Sequence, residues 1–508
     1  MREPISDLKE EDSFAVDEHI WGHRLYDEQL PHLIFLEFLG VLESNKGSPL
    51  VEGANGRANY RPRRQMRLRN LLFNNPFIEQ YRSKSMADGE KWEKWEEAFR
   101  PGAVKVGDGD LAHLRTAFAS FADFAKALDV MRMSAFEANS NKRWSSKFVF
   151  PFGPDALYED IRVDSKGNIS NDRRFFARTG EVLYLMLCRS ANAATLGPQL
   201  VSRLFDPAAP LNRLARALQG DPQHADKSRD TGFLPHRHLP RFDRLCDDWL
   251  AILSRTMSAT DAVEHLVTSV GLNLLLYFLE QGKAAAHDTD PVEFVCEIIS
   301  KERSKVRVLS GDSWQTNQAI SLRAIRSSIE SVRALPEWET ARGSADAAAA
   351  CADVMRGMFQ WPPEEMATDL SPEDLVTELI DAAESRHAQH FGRIHAAWSR
   401  AIGLSSRRSS RRTRYAPNDR LLKTLVVTVV EGRMEFGEFL REIHRRYGIV
   451  VGEAEGARLV RENLVDQEAL NDNAARLEAR LLSLGLLRRL SDSCSFVENP
   501  FYRDGDAT

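Results

Sequence analysis

Residues 484–500 read Leu-Gly-Leu-Leu-Arg-Arg-Leu-Ser-Asp-Ser-Cys-Ser-Phe-Val-Glu-Asn-Pro. Gly485 can supply the positive φ that ends a helix. Residues 486–490 can then pair with residues 495–497 across the polar Ser-Asp-Ser turn, which predicts a β-hairpin. This stretch therefore predicts that a small module near the C-terminus is closed by two strands.

Three helices are predicted before the hairpin. Apolar periodicity places them at residues 418–430, 436–447 and 471–484, and Gly448 ends the second. Residues 418–501 resemble a winged-helix domain in this order of helices and in the run that leads into the wing. The segment between the second and third helices, residues 448–466, is longer than the short turn usual in that fold.

Helical periodicity dominates the rest of the chain, which predicts a mainly α, multidomain protein. It also predicts a helix over residues 291–303. The clearest strand signal lies at residues 156–176 and predicts a β-hairpin inserted between helices. The predicted organisation is an N-terminal helical domain over residues 1–218, a central helical domain over 231–404, a basic linker over 405–417 and a winged-helix domain over 418–501.

The composition excludes several classes of protein. A formal net charge of −6 over 508 residues rules out a uniformly basic nucleic-acid coat, so any such binding must come from local patches. The first residues show no apolar secretory signal, and the longest apolar stretch, residues 270–279, is too short to span a bilayer. Five separated cysteines without a CxxC pair are typical of reduced thiols. We expect a cytoplasmic protein without membrane contact.

Two runs of arginine contain no acidic residue. Residues 407–414 hold five arginines, which are predicted to lie along a phosphate backbone or to enter a minor groove. A solvated, extended hinge is the alternative. Residues 57–69 hold six arginines interleaved with Tyr60, a combination that suits a nucleic-acid groove. Pairing of these arginines with the acid-rich N-terminal segment or with a partner subunit is equally open.

The third predicted helix would be the recognition helix of a winged-helix domain. Asn471 and Asn473 are candidates to read base edges, because asparagine and arginine make bidentate contacts there. Glu468 and Glu478 oppose phosphate approach, and many winged helices contact only protein. The predicted nucleic-acid-binding residues are Arg407, Arg408, Arg411, Arg412, Arg414, Arg476, Arg480, Arg488, Arg489, Arg61, Arg63, Arg64 and Arg67.

No catalytic motif of high specificity is present, and neither a metal nor a cofactor is predicted. The histidines at residues 387–395 are interpreted as part of a solvated helix face rather than a zinc site. Glu297 and Lys301 are four residues apart, which indicates a surface ion pair on a helix rather than a nuclease site. The titratable residues at 17–28 are interpreted as a docking segment, with an acid–base cluster as the alternative.

More broadly, the whole chain resembles the large, mostly helical, non-ATPase subunits of bacterial multigene antiphage defence systems. That resemblance implies a cytoplasmic complex in which another chain supplies an ATPase or a nuclease. We therefore expect a non-enzymatic subunit that binds duplex DNA with little sequence specificity. The alternatives are a protein–protein scaffold without DNA contact and a cryptic metal-dependent nuclease.

Overall fold

The computed structural model describes residues 15–502 apart from short gaps. The gaps are residues 24, 64–66, 105–109, 134, 138–146, 150–152, 158–160, 164–168, 172–173, 176, 221–226, 300–303, 362–369, 408–411 and 492–493. The described part is mainly α-helical with small sheets, which confirms the predicted fold class.

The helices of the described residues range from 5 to 27 residues in length. In chain order they are α1 (Val16–Trp21), α2 (Pro31–Ser44), α3 (Arg67–Phe73), α4 (Phe77–Arg82), α5 (Asp88–Val104), α6 (Ala112–Ala117), α7 (Phe121–Met133), α8 (Thr179–Cys188), α9 (Ala193–Leu204), α10 (Pro210–Gln219), α11 (Pro240–Leu253), α12 (Ala259–Ala285), α13 (Lys305–Gln318), α14 (Ile320–Glu330), α15 (Pro336–Arg342), α16 (Ala347–Phe359), α17 (Pro372–Gln389), α18 (Ile394–Ala401), α19 (Asp419–Val429), α20 (Phe436–Tyr447), α21 (Ala457–Arg461) and α22 (Gln467–Ser483).

The strands are short. They are β1 (Asn59–Tyr60), β2 (Ala135–Glu137), β3 (Lys147–Val149), β4 (Ile161–Val163), β5 (Ile169–Asn171), β6 (Arg229–Asp230), β7 (Phe294–Val295), β8 (Ser405–Ser406), β9 (Arg414–Tyr415), β10 (Arg433–Glu435), β11 (Ile449–Val450), β12 (Leu487–Ser491) and β13 (Cys494–Glu498). Antiparallel pairs join β1 to β6, β2 to β3, β4 to β5 and β8 to β9, whereas β7 and β11 are parallel. A three-stranded antiparallel sheet has the order β10-β13-β12. The β4–β5 pair confirms the hairpin predicted within residues 156–176.

Two compact units divide the chain. The larger unit contains Met1–Pro31, Phe233–Thr256 and His265–Thr508, and the smaller unit contains His32–Gly232 and Met257–Glu264. The predicted basic linker at residues 405–417 does not coincide with a boundary between these units, since the segments on both sides of it belong to the larger unit. The division into four domains stays a prediction.

Aromatic packing forms the core of the smaller unit. Trp92 and Trp95 lie edge to face with ring centroids 5.9 Å apart, and Phe121 and Phe124 pack against them. All four rings are buried. Burial of this much apolar surface is the main favourable term that holds α3 to α7 and α10 together.

The core of the larger unit includes α12 and a segment near the N-terminus. By length and composition α12 could cross a membrane, but 89% of its apolar stretch is buried in the structure, as in the core helix of a folded protein. Trp21 stacks on Phe278 of α12 at 5.2 Å and donates a hydrogen bond to its carbonyl oxygen. Residues 17–28, predicted to be a docking segment, thus place an aromatic anchor in the interior of their own unit.

Candidate functional site

A module of helices and a small sheet occupies residues 418–498. Its α19 and α20 lie where the sequence predicts them, and β12 and β13 form the predicted hairpin. The third helix, α22, begins at Gln467, four residues earlier than predicted, because the Asp466 side chain accepts a hydrogen bond from the Ala469 amide at 3.0 Å and caps it. The long connection before α22 contains β11 and α21.

Asn473 lies on the buried face of α22, so the prediction that it reads a base edge is wrong. It is completely buried. Its Oδ1 accepts a hydrogen bond from the Ile298 amide at 2.8 Å. Its Nδ2 donates to the carbonyl oxygens of Cys296 and Val451, both at 2.9 Å. One amide side chain therefore joins α22 to two other segments of the chain.

Residues 294–298 pack into this module as extended chain, and the helix predicted over residues 291–303 is wrong here. Strand β7 pairs with β11 in parallel, with Phe294 opposite Ile449. Glu297 is also buried rather than exposed. It forms an ion pair with Arg414, not the predicted surface pair with Lys301, which lies outside the described residues.

Within the predicted basic linker (residues 405–417), strands β8 and β9 form an antiparallel pair, which we call the arginine hairpin (described residues 405–407 and 412–415). Its strands β8 and β9 pair Ser405 with Tyr415. Arg414 is buried against Glu297 and is therefore removed from the predicted phosphate-binding set. Arg412 is 44% exposed and donates to Asp312 Oδ1 at 2.5 Å and to Gln315 Oε1 at 2.8 Å, both on α13. Arg407 is exposed, whereas Arg408 and Arg411 lie outside the described residues.

A buried polar network anchors the end of this hairpin. Tyr415 Oη lies 2.7 Å from His395 Nε2 and accepts a hydrogen bond from Asn317 Nδ2 at 2.9 Å. The other ring nitrogen of His395 lies 2.9 Å from Gln318 Oε1. Burial lowers the pKa of His395 to about 3 and that of His387 to about 4. Both imidazoles are buried and neutral, so the predicted solvated histidine face is wrong at these two positions.

The other predicted arginines of the module are mostly engaged within the molecule. Arg480 donates to Asp419 at 2.7 Å, and Arg489 forms an ion pair with Glu478 at 3.0 Å. Arg476 is partly buried. Arg488 is exposed and has no ion pair among the described residues.

The predicted arginines of residues 61–67 lie in the smaller unit. Arg67 is buried and donates to the Gln219 carbonyl oxygen, which excludes it from a surface groove. Arg63 pairs with Glu43 at 2.8 Å. Arg61 is exposed, and Arg64 lies outside the described residues. A continuous nucleic-acid groove at this run is not supported by these positions.

The solvent-exposed side of α22 carries no arginine or lysine. We call it the α22 face and define it by a stripe of exposed residues at helical spacing, namely Glu468, Asp472, Ala475, Ala479 and Leu482. The buried side of the same helix is formed by Leu470, Asn473, Leu477 and Leu481. The helix therefore presents two carboxylates and an apolar stripe to solvent.

Exposed large apolar side chains occur on α22 and on segments that contact it. Among the described residues of the larger unit, the side chains in question are Ile299, Val308, Leu464, Leu482 and Leu490. Leu464 and Leu482 flank or lie on α22. Ile299 follows the residue bonded to Asn473, and Leu490 is in β12, where Arg489 pairs with Glu478 of α22. The sequence analysis missed Ile299 and Val308, because both residues are far from α22 in the chain.

Metal chemistry finds no support in this surface. Among the residues that the structure describes, no group of three or more histidine, cysteine, aspartate or glutamate side chains could hold a metal ion. The five cysteines are described, and each is a free thiol.

The module combines a helix-and-sheet architecture with a mixed acidic and apolar surface. A family model described as methylation-associated defense system protein MAD7 matches residues 395–497, a minority of the 508-residue chain. Comparison with curated proteins and with solved structures finds no match. The matched range includes the arginine hairpin, His395 and Tyr415 of the buried network, and the α22 face. This similarity supports the predicted role as a subunit of an antiphage defence system.

Proposed function

We propose that this chain is an adaptor subunit of a methylation-associated antiphage defence system and that its C-terminal module is a winged helix that contacts another protein. The order α19, β10, α20, α22, β12 and β13, with all three strands in one antiparallel sheet, supports the winged-helix assignment. In that fold α22 has the place of the recognition helix.

The surface of α22 is the observation that carries the proposal. A helix that reads DNA presents cations and amides to phosphates and bases. The α22 face presents Glu468, Asp472 and an apolar stripe, with Asn471 as an exposed amide beside them and no exposed arginine or lysine. Leu482 is an exposed large apolar side chain on this face, and apolar surface contributes to protein interfaces rather than to phosphate contact. This face therefore favours contact with a protein over contact with DNA.

Co-expression tests the adaptor role. We expect the full-length chain to co-purify with a protein encoded by an adjoining gene, and Leu482→Asp to weaken that complex at least about 10-fold, because an interface would bury the leucine and cannot pair the new charge. Val130→Asp is the matched control, since Val130 and Leu482 are both 48% exposed but Val130 lies in the smaller unit. Purification of the chain alone from every co-expression, or an equal effect of both variants, would contradict the adaptor role.

A second candidate function, DNA backbone contact, is favoured by the arginine hairpin. Arg407 is exposed and forms no ion pair among the described residues, and Arg408 and Arg411 follow it closely in the sequence. Arg412 and Arg414 are already paired with Asp312 and Glu297. Arg407 is therefore the described arginine of the hairpin that could neutralise a phosphate, and we test Arg408 and Arg411 together with it.

Filter binding of duplex DNA at two salt concentrations tests this second candidate. The triple variant Arg407→Ala, Arg408→Ala, Arg411→Ala should flatten the slope of log K against log salt by up to about 2.7, since each phosphate contact contributes about 0.9. The control removes an equal charge from exposed arginines elsewhere in the larger unit, through Arg333→Ala, Arg342→Ala and Arg356→Ala. Equal slopes for the two triple variants would exclude the hairpin as a DNA contact.

A further inference from the structure

We infer that the α22 face receives a basic amphipathic helix of a partner subunit, an inference that rests on the adaptor function proposed above. The spacing of the apolar residues carries the first step. Ala475, Ala479 and Leu482 recur at i, i+4 and i+7 on the exposed side of α22. This is the spacing at which one helix presents anchors to another. Small side chains at the first two positions let a second helix approach near the lower end of the usual 8–10 Å interaxial range.

Two further exposed apolar side chains lie on segments next to the start of α22. Lys305 of α13 forms an ion pair with Asp466, the residue that caps α22. Val308 is 56% exposed and lies one turn further along α13, and Leu464 is 49% exposed just before the cap. Exposed apolar side chains are therefore present on both segments that lie next to the start of α22.

The charges on the α22 face indicate which kind of partner helix it can bind. Glu468 and Asp472 are exposed one turn apart on the same stripe, and neither forms an ion pair among the described residues. Glu468 lies in the first turn, where the helix dipole stabilises an acid, but Asp472 lies beyond that turn. The partly buried Arg476 and Arg480 lie on the flank, and Arg480 is paired with Asp419. A partner with lysine or arginine beside its apolar stripe complements this face, whereas an acidic helix or a phosphate backbone is repelled.

The experiment uses the full-length chain and the protein from an adjoining gene that co-purifies with it. The double variant Glu468→Gln, Asp472→Asn keeps the shapes of both side chains and removes their charge. At low salt, we expect the Kd of the double variant for the partner to be about 5- to 20-fold higher than that of the parent. The Kd of the variant should also depend much less on salt concentration. The control Glu330→Gln, Glu337→Gln removes the same charge from exposed positions on α14 and α15 and should leave the Kd unchanged.

The outcomes separate the two proposals. If Leu482→Asp disrupts the complex but the double amide variant binds as tightly as the parent at both salt concentrations, the adaptor role stands and the basic helix is excluded. Hydrogen exchange of the partner in the complex gives an independent readout. Protection of a segment that is a strand, or of a helix without lysine or arginine, would also overturn the inference. Failure of any protein to co-purify removes the adaptor role itself.

Discussion

Replacing Asn473 with alanine is expected to lower the free energy of unfolding by about 3–5 kcal/mol, although asparagine at this position was predicted to read a base. The side chain makes three buried hydrogen bonds, to the Ile298 amide and to the carbonyl oxygens of Cys296 and Val451. Each of the buried backbone groups left without a partner costs about 1–3 kcal/mol, so the three together would cost about 3–9 kcal/mol. Relaxation of the surrounding chain should keep the loss in the lower half of that range.

Asn471 provides a matched control two residues away. It is exposed on the same helix, so Asn471→Ala is expected to change the free energy of unfolding by less than about 0.5 kcal/mol. Urea unfolding of the full-length chain, followed by circular dichroism, measures both variants. If Asn473→Ala were as stable as the parent and instead lost DNA binding, the conclusion that Asn473 links α22 to other segments of the chain would be wrong.

Arg414→Ala is the second substitution with a large expected effect. Arg414 and Glu297 are 4% and 1% exposed, and they form a buried ion pair. Removing the guanidinium leaves a carboxylate buried without its counter-charge, which costs about 3–5 kcal/mol. Loss of this pair should also loosen the attachment of the arginine hairpin, because β9 begins at Arg414. Thermal and urea unfolding measure the loss.

A double variant distinguishes the ion pair from simple packing. Arg414→Met combined with Glu297→Met removes both charges and restores apolar volume, so it should recover most of the stability lost by Arg414→Ala. Arg407→Ala, at an exposed position of the same hairpin, should change stability by less than about 0.5 kcal/mol. A stable Arg414→Ala protein with weakened DNA binding would mean that Arg414 faces solvent and contacts phosphate.

Local signals in the sequence predicted several parts of the module. Helix α20 spans Phe436–Tyr447 as predicted, and Gly448 ends it with a φ of 68°. Gly485 likewise has a φ of 71° before the hairpin. Capping, glycine conformation and apolar periodicity act within a few residues, which is why they can be recognised without knowledge of the rest of the chain.

Long-range pairing could not be predicted in this way. Residues 294–295 become a strand only because residues 449–450 lie beside them in parallel. Their apolar pattern fits a helix equally well, and a short apolar run does not decide between the two structures. The same pairing brings Cys296 and Ile298 within reach of Asn473. The wrong prediction of a helix over residues 291–303 therefore also hid the structural role of Asn473 in α22.

The sequence by itself determined that the protein is mainly helical, where the helices of the C-terminal module end, and that arginine is concentrated at residues 407–414. Only the tertiary structure decided that Arg412 and Arg414 are paired with carboxylates of the same molecule. A guanidinium carries the same charge wherever it stands, but its availability depends on whether a carboxylate from a distant segment packs against it. Glu297 and Asp312 supply such carboxylates to Arg414 and Arg412, each from about 100 residues away in the chain.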